Sequence, residues 1–206
     1  ARPIDATAAS VVSPVDGTVA AVGTTVSGRI PVAAQRWLEL SDLLGEPVAG
    51  ERDVAVLYLS PTDYHRVHVP REGWARFFRY LPGTLWPVFP AAVRRVEGLF
   101  SKNERLAIRF AVDGGDLWVV LVGAYGVGRI TSSVCDVVTN DSAAAQAGDV
   151  EVEYYRGEEL GVFHLGSTVV LVADAGTMRW TVDVGDVVRV GRTIASLSTG
   201  NPLKVA

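Results

Sequence analysis

Cysteine is nearly absent from these 206 residues: Cys135 stands alone, so an internal disulfide framework and a cysteine-rich metal site are both excluded. Its run, Ser132-Ser-Val-Cys-Asp-Val-Val138, reads as a strand with a buried, inert thiol. Lysine is scarce as well, at Lys102 and Lys204. No apolar run reaches the ~18–20 residues that a membrane-crossing helix needs, and no secretory leader is visible. Charge of one sign is also lacking. With 19 basic and 23 acidic residues the formal charge is −4, which leaves no electrostatic footprint for nucleic acid. The one short basic cluster, Arg94 and Arg95 with Lys102 and Arg105 nearby, is ordinary for a solvated face; contact with an anionic lipid headgroup is its other reading.

What is plentiful is glycine, at 21 residues, and apolar side chains, at 49%. Short β-branched runs alternate with Gly, Asp and Pro punctuation. Val11-Val12, Val54–Leu59, Leu106–Val112, Leu117–Val122, Thr168–Ala173, Met178–Val182 and Val187–Leu197 read as strands. Helical periodicity is confined to Ala33–Leu44 and Ala91–Leu99. The expected fold is mainly β with a minor α component, a single domain over residues 1–206. A faint internal echo links Pro14-Val-Asp-Gly-Thr-Val19 to Asp183-Val-Gly-Asp-Val-Val188. The second run has the rhythm of biotinyl and lipoyl carrier (hammerhead) domains, flattened β-sandwiches or barrels with glycine-turned hairpins. Neither lysine stands where a carrier would present one, so the echo bears on architecture. Thr139–Gly148, rich in Asn, Asp, Ser and Ala, is expected to be mobile. The aromatic wedge Trp74, Phe77, Phe78, Tyr80, Leu85, Trp86 and Phe89 is broken by prolines, which forbid a long helix. It is either a loop packed on the core or a lip that meets acyl chains.

Three histidines can be weighed singly. His65 and His68 share Tyr58-Leu-Ser-Pro-Thr-Asp-Tyr-His-Arg-Val-His-Val-Pro70, and three readings stay open: acid/base work, structural histidines, or a metal pair lacking evident further ligands. His164 reads as a strand-surface residue. Asp16, in Ser13-Pro-Val-Asp-Gly17, fits a plain turn. Ser167 follows Gly166 where a turn runs into an apolar strand. A serine hydroxyl needs a base, and the base an orienting group, before it becomes a nucleophile. Asp16, His65 and Ser167 fill that list of roles, as some Asp, His and Ser would in any protein of this size.

Ser13–Val19, Tyr58–Pro70, Leu99-Phe-Ser-Lys-Asn-Glu-Arg105 and Gly161-Val-Phe-His-Leu-Gly-Ser-Thr168, with the shorter Leu121–Ile130, come in the order found in the phosphatidylserine decarboxylases, which the chain resembles from about Ser13 to Leu197. The resemblance implies a pyruvoyl enzyme that cuts itself between Gly166 and Ser167. His65 would take the proton of Ser167, Asp16 would hold the imidazole, and a covalent pyruvoyl group (pyruvate derived from Ser167) would be the cofactor, with no metal. The products would be a β chain of residues 1–166 and an α chain of 167–206 that stay associated. Phosphatidylserine would become phosphatidylethanolamine and CO2 through a Schiff base, with His68 as proton donor or carboxylate-positioning group. Trp74, Phe77, Phe78 and Trp86 would form the lip toward the lipid. A peripheral place on the cytoplasmic face of the cell membrane, a phospholipid partner and a homodimer are implied too. Familiar bacterial members carry apolar helices ahead of the first motif, whereas 12 residues precede Ser13 here; the start is either trimmed or that of a short variant. Two rival readings are a soluble pyruvoyl decarboxylase of a free amino acid or other amine, and a non-catalytic hammerhead-type binding or carrier module.

Overall fold

A computed structural model describes residues 2–125, 129–137, 139–140, 144–164 and 167–198. The first half of the chain forms β1 (Ser10–Val12), β2 (Gly17–Thr24), β3 (Arg29–Ala33), β4 (Arg36–Glu39), α1 (Leu40–Leu44), β5 (Arg52–Leu59), β6 (Arg66–His68) and β7 (Gly73–Leu81). Then come α2 (Pro90–Arg95), α3 (Leu99–Lys102), β8 (Arg105–Val112), β9 (Gly115–Val122) and β10 (Ile130–Ser132). The last third supplies β11 (Gln146–Tyr154), β12 (Glu159–Phe163), β13 (Ser167–Asp174), β14 (Met178–Trp180), β15 (Val187–Val188) and β16 (Thr193–Leu197).

Eight strands pair antiparallel in the order β11-β7-β8-β9-β13-β5-β2-β15, an open sheet whose edges are β11 and β15. Smaller sheets, β1-β16-β14 and β10-β12-β6, and the β3–β4 hairpin accompany it. The centre of the large sheet is apolar without alternation. Val54–Leu57, Val119–Val122 and Val169–Val172 are fully buried, so β5, β9 and β13 are covered on both faces, as continuous apolar runs require. The echoing runs near the two ends meet in space: Thr18 pairs with Val187 and Gly17 with Val188.

Five sequence expectations change. The helical reading of Ala33–Leu44 covers a hairpin arm and one short helix: Arg36–Glu39 pairs with Arg29–Ala33, and only Leu40–Leu44 is helical. Exposed Trp37, buried Leu38 and buried Leu40 keep the two-residue alternation of a strand. Gln146–Gly148, expected to be mobile, enters β11 opposite Tyr80, Arg79 and Phe78, because the aromatic edge of β7 needs a partner strand. The first half of the aromatic wedge is that strand itself, and only the stretch around Trp86 is irregular. Ala91–Leu99 divides between α2, which stops at extended Val96 (φ −105°), and α3, which starts after left-handed Gly98 (φ 61°). Val187–Leu197 is split into β15 and β16 by the turn at Gly191, φ 82°.

Candidate active site

The site is built at one end of the large sheet, where β2 begins, β5 ends and β13 begins. Thr18 pairs with Tyr58, Tyr58 with Thr168, and Leu59 with Ser167. The strands approach closely there: a Cβ on Gly17 would stand 2.3 Å from the Tyr58 carbonyl oxygen. Beyond β5 the chain reverses through a Ser60–Asp63 turn. The Asp63 N–H donates to Ser60 O (2.9 Å), and the Ser60 N–H donates to Asp63 Oδ2 (2.8 Å), the local bonding that favours Asp in turns. The turn delivers His65 beside the end of β12, where the Phe163 N–H donates to His65 O (2.9 Å). Residues 59–65 therefore hold the chain around the proposed cut on both sides. Leu59 flanks Ser167 and His65 flanks Phe163. Gly166 itself lies outside the described residues.

His65 Nδ1 is bonded to the carbonyl oxygen of Asp63. A carbonyl only accepts, so the neutral ring carries its proton on Nδ1 and presents a lone pair at Nε2. That Nε2 is buried and has no hydrogen-bond partner among the described residues. Ser167 Oγ and the adjacent Thr168 Oγ1 share this condition, and both residues are fully buried. Buried polar atoms without partners are rare, and each needs an explanation. A base lone pair and a hydroxyl left open on adjoining segments are the starting arrangement for activating a serine.

Asp16 is placed differently from the expected His65 contact. Its buried carboxylate accepts two bonds from Arg2 Nη1 (2.5 and 2.7 Å), one from the Val190 N–H (2.9 Å) and one from Arg189 Nη1 (3.3 Å). Those donors occupy both of its oxygens, and the Asp63 carbonyl sets the His65 tautomer instead. Asp16 remains at the same sheet end, since the His68 N–H donates to Pro14 O (2.8 Å) two residues before it. His68 Nδ1 donates to Gly157 O (2.9 Å), and its Nε2 accepts from the Tyr64 hydroxyl (3.1 Å). With both of its nitrogens committed, His68 is not free to pair with His65 on a metal ion. The Arg2 guanidinium lies 4.3 Å from the Tyr64 ring centroid, so this one arginine touches the surroundings of Asp16 and of His68. Burial first, and the Asp63 carboxylate second, push the Tyr58 phenol up from its ordinary value, keeping it a neutral donor.

Residues Asp63, Tyr64, Arg2 and Arg189 were not singled out from the sequence. Asp63 and Tyr64 sit inside the motif that carries His65 and could have been read as turn and partner. Nothing local marks Arg2 or Arg189, which act only because the two ends of the chain meet. His164 is exposed at a bend after β12, its N–H donating to Arg129 O (3.2 Å).

The four aromatic lip residues are not brought together. Trp74, Phe77 and Phe78 stand on β7, and Trp74 pairs with Ala111 at the strand end away from the site. Leu81, at the site end of the strand but three strands from β13, is seven residues along, or about 23 Å at ~3.3 Å per residue. Phe77 packs edge-on to Trp118 (centroids 6.1 Å apart) with Arg79 over its ring at 5.1 Å. Trp86 belongs to the irregular segment between β7 and α2 and is 48% exposed.

Comparison with known proteins decides the family. The phosphatidylserine decarboxylase family model matches residues 1–196. The chain belongs to the phosphatidylserine decarboxylase family. It is 38% identical over 190 residues to a phosphatidylserine decarboxylase proenzyme of Marinobacter nauticus, covering 87% of this chain and 66% of that protein. A proenzyme of the same name from Saccharophagus degradans is 37% identical over 215 residues, covering 97% and 73% respectively. One from Anaeromyxobacter sp. is 40% identical over 187 residues, covering 86% and 66%. The chain thus spans about two thirds to three quarters of the length of these relatives. Neither the free-amine decarboxylase nor the carrier-module reading is favoured by them.

The Leu99–Arg105 motif, quoted above for its family likeness, has a structural role at this sheet end. Fully buried Asn103 donates from Nδ2 to the carbonyls of Trp86 and Gly123 (both 2.8 Å) and accepts from the Trp86 N–H (2.9 Å). Buried Glu104 accepts from the Tyr80 hydroxyl (2.5 Å) and the Asn140 N–H (2.6 Å). Arg105 donates to the carbonyls of Asp42, Leu43 and Asn103; burial lowers its pKa to about 10, and the three carbonyls keep it protonated at neutral pH. Among the described residues no helix is long and apolar enough to cross a membrane.

Proposed function

We propose that this chain is a self-processing phosphatidylserine decarboxylase that makes a pyruvoyl group from Ser167 and forms phosphatidylethanolamine and CO2. The observation that carries the reading is a pair of buried atoms without a partner among the described residues, His65 Nε2 and Ser167 Oγ, in a chain of this family. His65 Nε2 takes the hydroxyl proton of Ser167, and Oγ attacks the carbonyl carbon of Gly166, whose missing side chain leaves room for the strained backbone of the attack. The C–N bond breaks as the C–O bond forms, converting the amide to an ester with a free amine on residue 167. Loss of the Cα proton then expels the Gly166 carboxylate. The resulting dehydroalanine takes up water and releases ammonia, leaving a keto group at the start of the 167–206 chain.

The fit is local: among the described residues, buried Ser167 Oγ and Thr168 Oγ1 have no competing partner to displace. A pyruvoyl group at residue 167 would supply an electron-poor carbonyl able to bind an amine and accept the electron pair released on decarboxylation. His68 and Tyr64, 3.1 Å apart, hold the proton that returns to the substrate carbon. Asp16, gripped by Arg2 and Arg189, fixes the local charge beside them. The substrate resides in a bilayer, so the enzyme works peripherally at a membrane surface, on its cytoplasmic face.

Denatured-mass measurement of wild type, Ser167→Ala and His65→Ala tests this reading. The expected wild-type result is two fragments separated at Gly166–Ser167, the smaller lighter by one ammonia and blocked at its N-terminus. Both variants should stay whole. A wild-type chain that remains whole on prolonged incubation would overturn the proposal.

A further inference from the structure

An apolar cavity of about 340 Å³ opens beside the site end of the large sheet, lined by Val19, Ala20, Tyr58, Val88, Val93 and Phe100 among others. Two observations connect it to the chemistry. Thr18 and Tyr58 both line it, and Tyr58 pairs directly with Thr168, the residue after Ser167. Neighbouring strands lie about 4.8 Å apart, so the cavity reaches within two strand spacings of the residue to be modified. Its exposed lining includes Arg94 and Val184, the latter 65% exposed. Phe89, 46% exposed, stands between the lining residues Val88 and Pro90. Arg94 and Arg95 end α2, and among the described residues neither guanidinium is in an ion pair. Among the described residues no acidic side chain lines the cavity.

A greasy cavity with an uncompensated cation at its mouth matches one end of a phospholipid: acyl chain inward, phosphate at the rim. We propose that this cavity takes a single acyl chain of the substrate lipid, with Arg94 meeting the phosphate, and that its volume limits the chain length accepted. The proposal rests on the decarboxylase reading and adds the part of the lipid that the chain recognises. A dry apolar cavity of about 150 Å³ accepts a benzene ring, so this one holds roughly a dozen carbons.

The test is calorimetric titration of the uncut Ser167→Ala protein with monomeric lysophosphatidylserines of graded chain length. Each added methylene should tighten binding about fourfold until roughly a dozen carbons, and further ones should add nothing. Ala20→Phe, which fills the cavity, should move that break to shorter chains; Val93→Ala, which enlarges it, should move the break to longer ones. Arg94→Gln should weaken all chain lengths by a similar factor. Smooth dependence without a break, or a break that neither cavity variant moves, would overturn the assignment and leave the cavity to another occupant, such as an apolar polypeptide segment. The titration reads no turnover. A flat titration with normal self-cleavage therefore removes the cavity proposal alone, and an uncut wild type with a movable break removes the decarboxylase proposal alone.

Discussion

Gly17→Ala probes whether strand registration, and not merely the presence of His65 and Ser167, drives self-cleavage. The added methyl carbon would stand 2.3 Å from Tyr58 O and 3.1 Å from Tyr58 C, where ordinary contact begins at 3.4 Å. Backbone must move by about 1 Å, because the obstacle is a carbonyl in a paired strand and not the tip of a flexible side chain. β5 lies between β2 and β13, so displacing Tyr58 shifts the strand whose next residue, Leu59, pairs with Ser167. Overpacking of this kind costs about 1–3 kcal/mol. A misplacement near 1 Å at reacting groups costs on the order of 100-fold in rate. The assay follows the uncut fraction over time after synthesis in a cell-free system. The same substitution in a Ser167→Ala background, measured by thermal unfolding, separates stability from chemistry. The expected outcome is a lowering of about 2–4 °C per kcal/mol together with processing slowed roughly 100-fold. A lowered melting temperature with processing at the wild-type rate would refute the claim that β5 registration positions Ser167.

Three further outcomes follow from other parts of the structure. Asn103→Ala removes bonds to Trp86 N, Trp86 O and Gly123 O at a fully buried position, so urea unfolding should show a loss of about 2–4 kcal/mol. Asp16→Asn takes the counter-ion from Arg2 and leaves Arg189 only the longer contact with Asp63 Oδ1 (3.9 Å); breaking a buried pair costs about 3–5 kcal/mol, but these arginine side chains are 40% and 55% exposed, which reduces the loss to about 1–2 kcal/mol by equilibrium unfolding. The Arg156 hydrogen bond holds the Glu72 carboxyl below its ordinary value of 4.5. Its stabilisation is therefore present above that value and lost as pH falls through the lower folded one. Because Glu72 is 41% exposed, the difference in unfolding free energy between wild type and Glu72→Gln should be small at pH 7, under about 1 kcal/mol, and vanish in acid.

The strands were the most legible part of the chain, because continuous apolar runs such as Val54–Leu59 and Thr168–Ala173 can be buried on both faces only within a covered sheet. Short helices were less legible. Leu38 and Leu40 serve equally in a helical stripe and in an alternating strand, and the pairing partner Arg29–Ala33 decides between them. Of the candidate site, the segments could be named from their motifs, but the partner of each side chain could not. The bond that sets the His65 tautomer goes to a backbone carbonyl, which every residue possesses and no motif advertises. The arginines on Asp16 come from positions 2 and 189, a juxtaposition created by the fold alone. The aromatic lip failed to assemble for a related reason: closeness along the chain from Trp74 to Trp86 spans a full strand length in space.

Where the proposed cut falls in the topology determines what happens to its products. β13 begins at Ser167 and sits between β9 and β5 over its length, β15 pairs with β2, and β16 lies between β1 and β14. The 167–206 chain is thus woven into two sheets of the 1–166 chain. Val169, Val170, Leu171 and Val172 are fully buried; at about 1.5–3 kcal/mol each they contribute roughly 6–12 kcal/mol, an upper estimate for any realistic unfolded chain. Cleavage therefore should change the molecularity of unfolding without releasing a fragment. Processed wild type should elute as one species in size-exclusion chromatography. Its urea midpoint should rise with protein concentration, whereas that of uncut Ser167→Ala should not, apart from any self-association seen in both. Native separation of the small fragment from the large one would contradict the sheet order on which this reasoning rests.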